Sequence, residues 1–334
     1  MKAIALNAFG SADNFAEVEL PIPQVGKVEI RIKIKAVSFN PVDYQIRKGR
    51  PESTLVGSMT LGRDLSGIVD AVHEDVTDFR VGDEVFSYVC NLASSGTYAE
   101  YVSVPAELVA RKPASLTHEQ AAAVPVAGIT ASIALRKAGV NKSTSLFIAG
   151  GAGGVGTFAV MLSRQLGVQN LITTAGNSKS RAYLIEQCGL SNDQIIDYKA
   201  QDFIERAMKQ NGGTFDVALD LVGSRMLSAC CSLLAVDGNL ASITDAPSYD
   251  DFEIMFQKNA SFHSVGAHAY SLTTDRKAWR KYRKMLEYLA DFFDSGTLAA
   301  PPIAILGNLS LQTVKQAHAL LENNAVQGKL VMTC

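Results

Sequence analysis

From Leu146 to Gly167 the chain passes from an apolar tetrad into a cluster of glycines and then into an amphipathic stretch. Leu146, Phe147, Ile148 and Ala149 read as a short, fully buried parallel strand. Gly151, Gly153 and Gly156 fit G-x-G-x-x-G, Gly150 and Gly154 add slack, and Val155 to Leu166 carries an apolar face at helical spacing. The first glycine is expected to permit a tight strand-to-helix turn. The second lets a pyrophosphate approach the backbone, and the third lets helix and strand pack closely. Glycines alone would equally suit a ligand-free turn, but strand, glycines and helix fall in one register, the context a dinucleotide site requires. Ala152 to Val155 are then expected to wrap the pyrophosphate with backbone N–H groups at the helix start.

The rest of the chain divides around this stretch. At 334 residues it is long enough for two domains. Up to about residue 110 it reads as β-rich, with strand patterns at Ala3 to Leu6, Val28 to Val37, Gly67 to Val72, Asp83 to Val89 and Tyr98 to Val104. Glycines and prolines punctuate these runs, as in a partly open barrel or sandwich. Thr117 and Gln120 fit a capping box, so a helix starts near His118, with a break or kink expected at Pro125 and Gly128. Strand and helix then alternate: 145–149 and 155–166, 170–174 and 178–188, 194–197 and 202–210, 215–221 and 224–235, with strands at 239–243 and Ser261 to Val265. Such alternation implies a doubly wound parallel Rossmann sheet, an α/β fold. Helices over 275–294 and 311–322 precede a last strand, Lys329 to Met332, whose β character suggests that the chain returns to its first domain.

Composition excludes several partners. A net charge of −2 provides no field to gather nucleic acid or an anionic membrane. The longest uncharged run, Gln120 to Leu135, contains Pro125 and Gly128 and is too short to span a bilayer comfortably. Met1-Lys2 leads into an alternating strand pattern and not into an apolar signal core. The five cysteines include no C-x-x-C pair, which fits reduced thiols and a cytoplasmic location.

The choice of dinucleotide turns on the end of the second strand. A carboxylate about 20 residues past the glycines usually holds the ribose 2′-OH of NAD. Thr173 to Ser178 contains none, and Lys179 and Arg181 follow, with Ser178 and Ser180 as hydroxyl donors. Cations and hydroxyls suit a 2′-phosphate, so the expected cofactor is NADPH, with Ser178 and Lys179 as primary contacts. A lysine in the first turn of a helix opposes the dipole, which calls for a compensating anion.

Several phrases resemble the medium-chain dehydrogenase/reductase superfamily, and its zinc-independent quinone oxidoreductase-like branch in particular. They are AVSFNPVDYQIRKG from Ala36, LGRDLSGIV from Leu61, VGDEVF, GTYAEYVSVPAELVARKP, QAAAVPVAGITASIAL, FDVALDLVG and the terminal QGKLVM, in the family's order. The resemblance implies a GroES-like β-rich domain, 1–120 with 266–334, around a Rossmann domain, 121–265, with the substrate cleft at their junction. It implies that Asn40 and Tyr44 face the nicotinamide, that Thr130 lies near its carboxamide, and that Asp43 pins the loop. For the cofactor it adds Tyr198, Val222 and Lys329, although a structural salt bridge would explain Lys329 equally well. It also implies a homodimer through an edge strand of the Rossmann sheet, here Ser261 to Ala267.

The resemblance bears on the chemistry through what is replaced. Zinc-dependent relatives carry a cysteine where Asn40 stands and a histidine where Arg63 precedes Asp64. Neither an amide nor a guanidinium replaces those ligands, and the five histidines are scattered. No metal is therefore expected, and a quinone or an α,β-unsaturated carbonyl, already electrophilic, becomes the expected hydride acceptor. The leading expectation is an NADPH-dependent quinone oxidoreductase, with an enone or 2-alkenal reductase as the alternative. No tyrosine follows Gly49 closely, which argues against the enoyl-thioester branch. A catalytically idle NADPH-binding scaffold or sensor is the alternative of another class.

Overall fold

The apolar tetrad Leu146–Ala149 is the third strand of a six-stranded parallel sheet in the computed structural model of the chain, which describes residues 1–323 and 326–334. Across that sheet the strands run Ile195–Asp197, Leu171–Ala175, Leu146–Ala149, Phe215–Asp220, Leu234–Ser242 and Ser261–Ser264. Numbered along the chain, this is the 3-2-1-4-5-6 order of a Rossmann sheet. The order reverses beside Leu146–Ala149, where such sheets bind ligands beyond their strand ends. Phe147 and Phe215 are buried on adjacent strands with ring centroids 5.4 Å apart.

The connecting helices begin and end where local chemistry dictates. Helices Ser178–Cys188 and Phe203–Asn211 stop at Gly189 and Gly212, both left-handed, at φ +63° and +79°. Thr117 accepts from the Gln120 N–H and completes the expected capping box. The expected interruption at Gly128 does not occur. The break precedes Pro125, which opens helix Pro125–Lys137, and Gly128 lies inside that helix. A proline is well placed in a first turn, where its missing N–H costs nothing. Helix Tyr249–Gln257 has no counterpart in the sequence reading. Its start is encoded by Ser248 and Asp251, which cap each other.

Met1–Ile129 with His268–Cys334 forms one compact unit and Thr130–Ala267 the other. In the first, the long strand Glu29–Phe39 organises a seven-stranded sheet. It pairs antiparallel with Asp64–Val72, Tyr101–Pro105 and the C-terminal strand Lys329–Thr333. Ile30, Ile32 and Ile34 alternate inward along it and join Val69, Val85 and Val102 in the core. Each such side chain contributes about 1.5–3 kcal/mol when fully buried.

Register in this sheet brings distant residues together. Leu330 lies opposite Phe39, so Lys329 falls beside Asn40, just past the strand end. Ala36 lies opposite Ser66, which carries Asp64 toward Ser38. Four polar side chains from three strand ends thus meet at one end of the sheet. Helix Pro41–Arg47, with Asn40 as its N-cap, starts there.

Candidate functional site: a glycine loop and a buried lysine cluster

The glycine loop divides its labour differently from the sequence expectation. Gly150, at φ +87°, makes the left-handed turn assigned above to Gly151. A Cβ on Gly151 would collide with Thr173 Oγ1, so Gly151 permits strand packing. A Cβ on Gly156 would collide with the Gly150 carbonyl, so Gly156 lets the helix press against the turn. At Gly153 a Cβ would find its nearest neighbour 3.4 Å away, leaving that face open for a ligand. Gly153 is the N-cap of helix Gly154–Gln165 and has no side chain to satisfy the first-turn N–H groups. Free donors and the helix dipole together suit a phosphate. Thr174 Oγ1 accepts from the Gly150 N–H at 3.0 Å and ties the turn to the neighbouring strand.

The 2′-phosphate candidates sit at the end of strand Leu171–Ala175. Asn177 caps helix Ser178–Cys188 by accepting from the Ser180 N–H at 2.8 Å. Ser178 and Lys179 are exposed in the first turn. Among the described residues the Lys179 ammonium has no hydrogen bond or ion pair. Arg181 is committed elsewhere, donating to Asn192 Oδ1 at 2.8 Å and to the Ile195 carbonyl at 2.9 Å. Tyr198 lies against Gly176, where a Cβ would press into its ring. Val222 is exposed and flanks the turn, its Cγ2 being 2.7 Å from a Cβ placed on Gly150. Thr130 is buried in helix Pro125–Lys137, at the start of this unit.

Asp220 is a residue that the sequence reading missed. Fully buried at the end of its strand, it accepts from the Val222 and Gly223 N–H groups at 3.2 and 2.9 Å. Its other oxygen accepts from Ser242 Oγ and Thr244 Oγ1 at 2.9 and 3.0 Å. It holds the loop that carries Val222. The signal was a carboxylate closing the apolar run FDVALD.

In the β-rich unit the centre is Asn40, which is 3 % exposed. Its Oδ1 accepts from Lys329 Nζ at 2.5 Å, and its Nδ2 donates to Asp64 Oδ2 at 2.8 Å. The same Asp64 oxygen accepts from Ser38 Oγ at 2.7 Å and Lys329 Nζ at 3.2 Å. Asp64 Oδ1 accepts from the Val126 N–H at 2.8 Å. Lys329 also donates to the Phe39 carbonyl at 3.2 Å. All three ammonium donors therefore end on groups of this unit, as in the structural role that the sequence also allowed for Lys329. These bonds fix which end of the Asn40 amide is oxygen, and one Nδ2–H is left over.

Helix Pro41–Arg47 carries the other two residues. Asp43 accepts from the Asn40 N–H at 2.8 Å and so pins the helix start, as expected. Among the described residues its second oxygen is buried without a hydrogen-bond partner, and burial pushes its carboxyl up to about 7. Tyr44 is half-buried, with Lys48 Nζ 5.4 Å from its ring centroid.

The fold raises the question of zinc, and the residues do not fit it. Asn40 Oδ1 already holds an ammonium, which would repel a second cation, and Arg63 carries another positive charge. Among the described residues no group of three or more His, Cys, Asp or Glu is placed to hold a metal ion. No helix of the described residues is long and apolar enough to cross a membrane.

Comparison with known proteins bears on both units. Residues 26–114 match the family described as "Alcohol dehydrogenase GroES-like domain", and residues 190–332 match "Zinc-binding dehydrogenase". The chain is 29% identical to the 2-methylene-furan-3-one reductase of Solanum lycopersicum, covering 99% of this chain and 79% of that protein. Its structure resembles the quinone oxidoreductase of Coxiella burnetii, with a TM-score of 0.84 and 30% identity over 100% of this chain and 99% of the other. The Escherichia coli quinone oxidoreductase complexed with NADPH gives a TM-score of 0.85 at 25% identity, with 100% of each chain covered. With a 3-2-1-4-5-6 parallel sheet, a GroES-like unit and these relatives, the chain belongs to the medium-chain dehydrogenase/reductase superfamily of NAD(P)H oxidoreductases, in its quinone oxidoreductase-like branch.

Proposed function

We propose that this protein transfers hydride from NADPH to a quinone without zinc. The observation that carries this reading is the Asn40–Asp64–Lys329 cluster, which puts a bonded ammonium where a metal-dependent relative would need ligands. When bound, NADPH supplies the hydride. The open face of Gly153 and the first-turn N–H groups receive its pyrophosphate, with Ala152, Gly154 and Val155 around them. Ser178 and Lys179, whose ammonium is unpaired among the described residues, receive its 2′-phosphate, and Thr173 to Ser178 contains no carboxylate to repel it. Tyr198 and Val222 flank the nucleotide.

In the β-rich unit, Lys329 and Asp64 orient Asn40 so that its remaining Nδ2–H can donate to an acceptor oxygen. Tyr44 supplies a second hydroxyl donor or a stacking face. Thr130 is placed by resemblance near the carboxamide. An enone or 2-alkenal reductase is the second reading, favoured by the tomato furanone reductase matching 99% of the chain. The five free cysteines, four of them buried, suit a reducing compartment, here the cytoplasm. A second copy is proposed to pair with the outer edge of strand Ser261–Ser264, near exposed Tyr249 and Phe256. Sedimentation at micromolar concentration should give twice the chain mass, and a monomer would remove this last element.

The test is a panel of quinones and enones with NADPH and with NADH, followed by product identification. Hydroquinone supports the first reading, and a saturated carbonyl the second. Tight NADPH binding with no accelerated oxidation by any acceptor would leave only the scaffold or sensor. Lys179→Ala should weaken NADPH about tenfold, the equivalent of one charge-assisted contact, and NADH by less than about twofold. Equal weakening would remove the 2′-phosphate role.

A further inference from the structure

Arg63 stands next to Asp64 but takes no part in its network. It is only 8 % exposed, and among the described residues its guanidinium has neither a hydrogen bond nor an ion pair. A guanidinium stays charged in any protein, and burying it without a partner is costly. The neighbouring carboxylates do not relieve it. Asp64 is fully engaged with Ser38, Asn40, Lys329 and the Val126 N–H. Asp43 lies close enough to feel Arg63, yet burial outweighs that attraction and leaves its carboxyl about half protonated near neutrality.

Arg63 lines a cavity of about 20 Å³ with Ser58, Thr60, Cys90, Asn91 and Gly96. That volume admits roughly one water-sized group. Burial pushes up the Cys90 thiol and the Tyr88 hydroxyl, and the Arg63 charge pulls both partway back. The positive charge is therefore felt on the cavity side. Such a charge, at the wall of a small polar cavity and without a counter-ion among the described residues, suits an anionic oxygen supplied from outside.

We propose that Arg63 binds a carboxylate oxygen of the acceptor, so that the site selects conjugated acceptors bearing an acid group over their neutral analogues. This rests on the reading of a conjugated acceptor given above. No bond is made or broken at Arg63, which acts as a binding and specificity residue.

A matched pair of acceptors, 4-oxo-2-pentenoate and its methyl ester, tests the proposal through KM and kcat with NADPH. The wild type should show a KM for the acid about tenfold or more below that for the ester, the yield expected of one charge-assisted contact. Arg63→Met should bring that ratio close to one, and Arg63→Lys should restore part of it. Equal KM values in the wild type, or a ratio unchanged in Arg63→Met, would overturn the proposal.

A second measurement is independent of turnover and of the fate of the variants. Benzoate, titrated into NADPH-loaded wild-type protein, should shift the NMR signal of the Arg63 Nε–H in a saturable way. No shift at millimolar benzoate would overturn the assignment even if both acceptors are reduced. A saturable shift in a protein that reduces neither acceptor would support the anion site while removing the redox reading.

Discussion

In the Rossmann unit the groups proposed to face the ligand are backbone N–H groups, presented because Gly150, Gly151, Gly153 and Gly156 have no side chains. In the β-rich unit the proposed site is built of side chains, Asn40, Asp64 and Lys329, buried and bonded to one another. The first arrangement is contiguous in sequence and needs no buried charge. The second is assembled from residues 40, 64 and 329 and depends on an ammonium and a carboxylate that water no longer solvates. A nucleotide brings its own charge, so its cradle can be neutral backbone. The reacting carbonyl of an acceptor is neutral before hydride arrives, so the protein must fix polar groups around it in advance.

The comparison predicts opposite failures, and the glycines give the largest effects. Gly156→Val would drive its Cβ into the Gly150 carbonyl, a backbone atom that cannot step aside, and should abolish folding of the Rossmann unit. Gly153→Val meets only an ordinary contact at 3.4 Å, so the protein should stay folded while NADPH affinity falls more than about a hundredfold by blocked approach. Thermal melting and calorimetric titration separate the two outcomes. Retained NADPH binding in Gly153→Val would mean that the pyrophosphate lies elsewhere.

The same contrast explains what could be read from the sequence. Strand, glycine loop and helix are neighbours along the chain, so their periodicity and spacing sufficed to place them. The departure of detail, with Gly150 and not Gly151 making the turn, came from φ, which spacing does not encode. The absence of a carboxylate after the second strand was also legible, because it is a local property. Lys179 was preferred to Arg181 from the sequence, and the bonds of Arg181 to Asn192 and Ile195, which no local pattern encodes, commit Arg181 elsewhere. Nothing local links Lys329 to Asn40. That contact is created by the return of strand Lys329–Thr333 to pair with Glu29–Phe39. Asp220 was hidden for a similar reason, since its partners Ser242 and Thr244 belong to the adjacent strand and the loop beyond it.

An intermediate effect is expected at Lys329. Lys329→Met leaves Asp64 buried with only neutral donors and should cost about 3–5 kcal/mol of stability, as breaking a buried pair does. Lys329→Met with Asp64→Asn should recover a large part of that, because no orphaned charge remains. Urea denaturation measures both. NADPH affinity of folded Lys329→Met should stay within about threefold of wild type, less than the loss of one hydrogen bond to a ligand. A larger loss would return Lys329 to the cofactor and blur the division between the two halves.

The smallest effect concerns the pH response of the buried side chains, where two groups act in opposite directions. Burial raises the Asp43 carboxyl from 3.8 to about 7, so the folded chain keeps a proton that the unfolded chain releases. Its contribution to stability is therefore lost as pH rises from about 4 to about 7 and changes no further above that. Burial lowers His318 from 6.5 to about 3, so the unfolded chain takes a proton that the folded one refuses. That contribution is lost as pH falls from about 6.5 to about 3. The two slopes oppose each other between about pH 4 and 6.5, so these two contributions largely cancel there. Asp43→Asn keeps an oxygen for the Asn40 N–H and removes only the first slope, so stability should then climb with pH across that window. Urea midpoints measured at half-unit intervals read this directly, any constant offset from the altered cap being subtracted. A mutant profile parallel to wild type would show that Asp43 is ionised in the fold, and that this half of the site carries its negative charge openly.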